Sequence, residues 1–104
     1  MTNDQFNAFC ARFMDEMSEI LIKKGGDYSQ LGDRLSNFKT SAAEFGLSPV
    51  QTWAVFMKKH FDAVATFVRT GSLQSEPIRG RLLDIANYAI LGAALIEEFD
   101  RATK

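Results

Sequence analysis

Apolar side chains recur at three- and four-residue intervals through most of this chain, and no segment shows the alternation of a half-buried strand. That period gathers them on one side of an α-helix. The chain is therefore expected to be all-α. Glycines and one proline divide the pattern into four helices, so the expected architecture is a small four-helix bundle-like domain.

The first stripe is unbroken: Phe6, Phe9, Cys10, Phe13, Met14, Met17, Ile20 and Leu21. Thr2 and Gln5 have capping-box spacing at its start. Lys23 and Lys24 fall in its last turn, Gly25 reads as a left-handed stop, and residues 26–32 read as loop. A second helix is expected from about Asp33 to Phe45, with Leu35, Phe38, Ala42 and Phe45 on one face and Gly46 ending it.

The third start is the best marked. Ser48 is the N-cap, Pro49 takes the first helical position and Gln51 completes the box. This helix is expected to reach about Thr70, to bury Val50, Trp53, Met57, Phe61, Val64 and Val68, and to stop at Gly71. The last runs from near Glu76-Pro77 to about Asp100. Ile78, Leu82, Ile85, Ala89, Ala93 and Ile96 form one face, while Leu83, Ile90, Ala94 and Leu95 carry the apolar surface well around it. A helix apolar on most sides must be covered on most sides. In 104 residues that implies a subunit interface as well as a core, and the 9 Phe residues point the same way. A homo-oligomer is expected.

The length allows one domain, residues 1–104. Hydrophobic residues are 46% and charged residues 24%, which suits a globular fold. No secretory signal is visible at Met1–Asp4, and the longest apolar run, Ala89 to Ile96, is far short of the roughly 20 residues that span a bilayer. A cytoplasmic protein with no membrane partner is expected. The lone Cys10 reads as a buried thiol on the first stripe.

Net charge is −1 but uneven. Residues 1–22 carry −3, residues 23–81 carry +4, and residues 82–104 carry −2. A mildly basic middle suits a small anion and is too weak for duplex nucleic acid.

Three clusters could carry chemistry. The first is Lys23-Lys24-Gly25-Gly26-Asp27-Tyr28, where lysines and backbone N–H groups could hold phosphate and Tyr28 could stack on a base. The plainer alternative is a helix stop with solvated lysines. The second is Asn37-Phe38-Lys39 with Trp53 and Lys58-Lys59-His60. Here Lys58 could simply pair with Asp62, and His60, close to the apolar stripe, reads as a boundary or core histidine rather than a ligand. The third is Arg81, Asp84, Asn87 and Tyr88, a narrow polar stripe on an otherwise apolar helix, preceded by Glu76 and Arg79. Such groups need bonds to each other, to a subunit or to a ligand, so a structural seam and a binding site are both open.

Zinc is excluded by one Cys and one His. Acids are too scattered for a confident Mg²⁺ site. No resident metal or cofactor is expected. If the chain is an enzyme, Mg²⁺ would fall to Asp27, Glu76 and Asp84.

Taken in order, Lys24-x-x-Asp27-Tyr28, Asn37-Phe38, Lys58-Lys59, Glu76 and Asp84-x-x-Asn87-Tyr88 resemble the small phage and bacterial proteins of the nucleotide modification associated domain 1 family. The resemblance spans about Ile22 to Ile96. It implies an all-helical fold and a place in phage nucleotide metabolism or modification. In outline the helices are also similar to all-α nucleotide pyrophosphohydrolases, but Arg81-x-x-Asp84 stands where their acidic pair would be, which favours holding phosphate over holding Mg²⁺.

The function expected is a phage protein that binds a phosphorylated or cyclic nucleotide and sequesters a host signalling nucleotide. Lys23, Lys24, Lys58, Lys59, Arg79 and Arg81 would contact phosphate. Tyr28, Trp53 and Tyr88 would stack, and Asn37, Asp84 and Asn87 would read base or ribose, beside Asp27. Two alternatives stand: a Mg²⁺-dependent nucleotide pyrophosphohydrolase or accessory protein of nucleotide modification, and a structural helical module. Whether the chain is an enzyme is left open.

Overall fold

The computed structural model describes residues 1–28, 32–73 and 77–103. It holds four helices: α1 (Asn3–Tyr28), α2 (Ser36–Phe45), α3 (Pro49–Thr70) and α4 (Ile78–Thr103). No strand occurs among the described residues, and no helix there is long and apolar enough to cross a membrane.

Helix starts follow local chemistry. Gln5 N–H donates to Thr2 Oγ1 at 3.1 Å, and Thr2 N–H donates to Gln5 Oε1 at 2.8 Å. Ser48 and Gln51 make the same reciprocal pair at 3.1 and 2.9 Å, with Pro49 behind them. These bonds satisfy N–H groups that a helix start leaves without partners. Gly46 (φ 68°) and Gly71 (φ 80°) end α2 and α3 in the left-handed region, where a side chain would be strained.

Two boundaries differ from the sequence reading. Gly25 does not stop α1, which continues through Gly26 to Tyr28. Its role is tertiary: a Cβ at Gly25 would lie 2.9 Å from Arg34 Nε, so the glycine clears the path of that side chain. Lys23 and Lys24 thus sit inside the helix rather than at its end. Helix α2 begins at Ser36 because Asp33 holds the turn before it. Asp33 Oδ1 accepts from Leu35 N–H at 3.0 Å, and its carbonyl accepts from Ser36 N–H at 3.2 Å.

Leu35, Phe38 and Leu95 form the core, with Val50, Trp53, Phe56, Tyr88, Leu91 and Ala94 against it. Helices α2, α3 and α4 converge there. Helix α1 meets the rest mainly through α4. Arg79 lies over the rings of Phe9 and Phe13, at 5.7 and 5.4 Å from their centroids, and its guanidinium also pairs with Glu16. At the other end of the bundle, Lys39 bridges Asp33 at 2.6 Å and Glu98 of α4. Glu98 is therefore tied down rather than simply solvated.

The apolar stripes are less covered than their period suggests. On α3, Phe61 is 54% and Val68 78% exposed, against the expectation that both are buried. Phe6, Met14, Leu82 and Ile96 are likewise exposed, and Cys10 is half-buried. Periodicity identifies a face and does not say what covers it.

Candidate functional site

All four helices and the turn before α2 line one open cavity of about 560 Å³. Helix α1 contributes Leu21 and Lys24, and the turn contributes Arg34. Asn37 and Phe38 come from α2; Phe56, Lys59 and His60 come from α3. Helix α4 supplies Arg81, Asp84, Asn87, Tyr88 and Leu91. The polar stripe singled out on the last helix thus faces the cavity as a unit, because its members lie three or four residues apart on one side.

Charge inside the cavity is strongly unequal. Among the described residues that line it, Lys24, Arg34, Lys59 and Arg81 face a single carboxylate, Asp84. Lys24 Nζ lies 3.4 Å from Asp84 Oδ1, and His60 Nδ1 lies 3.7 Å from Asp84 Oδ2. Arg81 Nη1 is 3.2 Å from His60 Nδ1. A guanidinium can only donate, so a hydrogen bond here needs the Nδ1 lone pair of a neutral imidazole, whereas the Asp84 carboxylate beside the same nitrogen favours a proton on it. Arg34 Nη2 donates to the Leu21 carbonyl at 3.4 Å, fixing the turn against α1. Lys59 is exposed and reaches no acid among the described residues.

One wall is aromatic. Tyr88 stands edge-on to Phe38 with centroids 6.3 Å apart, Phe38 tilts on Phe56 at 6.0 Å, and His60 tilts on Tyr88 at 5.1 Å. Edge-to-face and tilted pairs at these separations are favourable. Asn87 sits beside it, only 5% exposed, and its Oδ1 has no hydrogen-bond partner among the described residues. A buried amide oxygen without a donor costs about 1–3 kcal/mol, so a ligand able to supply one would recover that loss.

The sequence candidates separate clearly. Lys24, Asn37, Lys59, Arg81, Asp84, Asn87 and Tyr88 share the cavity. Lys23 and Asp27 do not; with Ile20, Lys24, Gly80 and Asp84 they line a shallower depression on the other side of Asp84. Lys58 points away and pairs with Asp62 at 2.7 Å. Arg79 is engaged with Glu16, Phe9 and Phe13. Trp53 lies behind the wall: its indole N–H donates to the Tyr88 carbonyl at 2.8 Å, and its ring lies against Gly92. The side chain of Tyr28, and Glu76 altogether, lie outside the described residues.

Arg34, Phe56, Leu21 and Leu91 are lining residues that the sequence reading missed. A signal existed for two of them. Phe56 stands three and four residues before Lys59 and His60 and so shares a helical face with them, and Arg34 stands three and four before Asn37 and Phe38, spacing that would put it on their face had α2 begun at Asp33 as the sequence suggests.

Among the described residues no three His, Cys, Asp or Glu side chains converge as metal ligands. Asp27 and Asp84 line the shallow depression together. Compared with family models, curated proteins and solved structures, the chain matches none.

Proposed function

We propose that this protein binds a phosphorylated or cyclic nucleotide in the four-helix cavity. The observation that carries the reading is the cavity's charge, four basic side chains against one carboxylate among the described residues, beside an aromatic wall. Phosphate oxygens would be held by Lys24, Lys59 and Arg81, with Arg34 behind them. The base would lie on the face made by Tyr88 and Phe38. Asn87 Oδ1 has no donor among the described residues, and a base N–H or ribose O–H would supply one.

Seven members of the motif order that resembles nucleotide modification associated domain 1, namely Lys24, Asn37, Phe38, Lys59, Asp84, Asn87 and Tyr88, line this one cavity, which supports taking them as a single site. Through that resemblance the reading extends to a cytoplasmic phage protein that sequesters a host signalling nucleotide. Sequestration requires tight binding and no bond cleavage.

A second reading has one observation in its favour: Asp27 and Asp84 share a depression next to the cavity. With Glu76 they could hold Mg²⁺ for pyrophosphate cleavage. A thermal-shift screen of mononucleotides, deoxynucleoside triphosphates and cyclic di- and trinucleotides, with and without Mg²⁺, separates the two. Each stabilising compound is then recovered and chromatographed. A stabilising nucleotide recovered intact supports binding without turnover. Conversion only with Mg²⁺ supports the enzyme. No shift with any compound removes nucleotide binding.

A further inference from the structure

We infer that the outward face of α4 is the seam of a homodimer, occupied by the same face of a second copy. Ile78, Leu82, Ile85, Ala89, Ala93 and Ile96 recur at three- and four-residue steps and form a stripe about 27 Å long at 1.5 Å per residue. This is the side of α4 opposite the core, since Leu83, Asn87 and Leu95 are the buried ones. Leu82 and Ile96 remain 43% and 50% exposed, Ala89 and Ala93 are exposed between them, and Ile78 and Ile85 are half-buried. None of the six carries a charge. A solvent-facing helix side without a charged residue over five turns is a contact surface rather than a solvated one.

Area argues for a second copy as the occupant. A folded monomer of 11.6 kDa exposes about 5,800 Å², whereas this chain exposes 7390 Å². Its radius of gyration is 15.9 Å, against about 13 Å for a compact chain of this length. The surplus of about 1,500 Å² belongs to the whole chain and is of the size that each partner of an obligate homodimer removes from water, about 1,000–2,500 Å²; the α4 stripe is the part of it assigned to a second copy. An uncharged stripe is also self-complementary, as a two-fold interface requires. A lipid surface suits it poorly. The stripe runs into Glu97, Glu98 and Asp100, where an interfacial helix would carry lysine or arginine.

The test is the mass of the full chain in solution by light scattering at micromolar concentration. The expected value is about 23 kDa, twice the chain mass of 11.6 kDa. Ala93→Glu places a carboxylate in the middle of the stripe at a site that is exposed in one copy, and should give 11.6 kDa with helical circular dichroism unchanged. A monomeric wild type, or an Ala93→Glu protein that stays dimeric, overturns the assignment. Should Ala93→Glu lose its helicity, Ala89→Cys in a Cys10→Ser background decides. Position 89 is near the stripe's midpoint, so it faces its mate whether the two copies of α4 run parallel or antiparallel. A short bismaleimide should then trap a species of about 23 kDa on a denaturing gel, and absence of that species overturns the seam.

Discussion

Gly92→Ala tests the contact that sets the spacing of α3 and α4. A Cβ built at Gly92 would lie 2.6 Å from Trp53 Cζ2, 2.7 Å from Cε2 and 3.1 Å from Nε1. Carbon–carbon contacts relax only at about 3.5–4.0 Å, so the indole must retreat by about 1 Å. Unlike the end of a lysine, the indole is a rigid plate packed against the core, and overpacking of this kind costs about 1–3 kcal/mol. The retreat also stretches the 2.8 Å bond from Trp53 Nε1 to the Tyr88 carbonyl beyond useful range, a further loss of about 1 kcal/mol. Against this, alanine gains about 1 kcal/mol over glycine in a helix interior. The net expectation is a loss of about 2 kcal/mol, which lowers Tm by on the order of 10 °C. Urea unfolding followed by the emission of Trp53, the single tryptophan, reports both stability and the ring's surroundings. Gly26→Ala is the control: it is also helical, but nothing lies within 4 Å of its Cβ, so it should be neutral or gain up to about 1 kcal/mol. A Gly92→Ala protein as stable as wild type, with unchanged emission, would refute the close approach.

Further outcomes follow from other sites. Lys59→Ala removes an exposed cavity charge without touching the core and should weaken nucleotide binding about tenfold by isothermal titration, with Tm of the unliganded protein unchanged. Ser48→Ala breaks the capping box of α3 and should cost about 1 kcal/mol in urea unfolding. The Asp33–Lys39 pair gives a pH signature. Asp33 is held below its ordinary 3.8 by Lys39 first and then by the Leu35 N–H, so its contribution is present above that value and is lost as pH falls through the depressed one. Lys39 is raised above 10.5 by Asp33 and then Glu98, so its contribution holds below that value and fades as pH rises through the raised one. Lys39→Met should therefore narrow the stability gap to wild type at both extremes, and parallel curves would show that the bridge is absent in solution.

What the sequence made legible was local. The Ser48-Pro49-Gln51 start and the Gly46 and Gly71 stops depend on neighbours a few residues away, and each forms where the spacing predicts. The stripe Arg81, Asp84, Asn87 and Tyr88 was legible because polar groups on an apolar helix need partners, and all four line the cavity. Distant causes were not legible. Gly25 looked like a stop, yet it makes room for Arg34, nine residues on and across a turn. Lys58 and Lys59 are chemically equal, but adjacent helical residues point about 100° apart, and only the fold selects Lys59. Trp53 had the chemistry of a stacking residue, but its N–H is committed to the Tyr88 carbonyl behind the wall.

Because α1 is held mainly by α4 while supplying Leu21 and Lys24 to the cavity, its detachment is the cheapest large opening of this fold. Backbone amides between Phe13 and Leu21 would then exchange with solvent deuterium through an event that leaves α2, α3 and α4 folded. On the proposed reading, a nucleotide gripped by Lys24 on one side and Lys59 on the other would favour the attached state; the limit in which it binds that state alone sets the largest effect. At a hundred times its Kd it adds about 2.7 kcal/mol to the opening and slows those amides about a hundredfold. Exchange protection confined to α1 would thus report occupancy of a cavity whose other walls scarcely change.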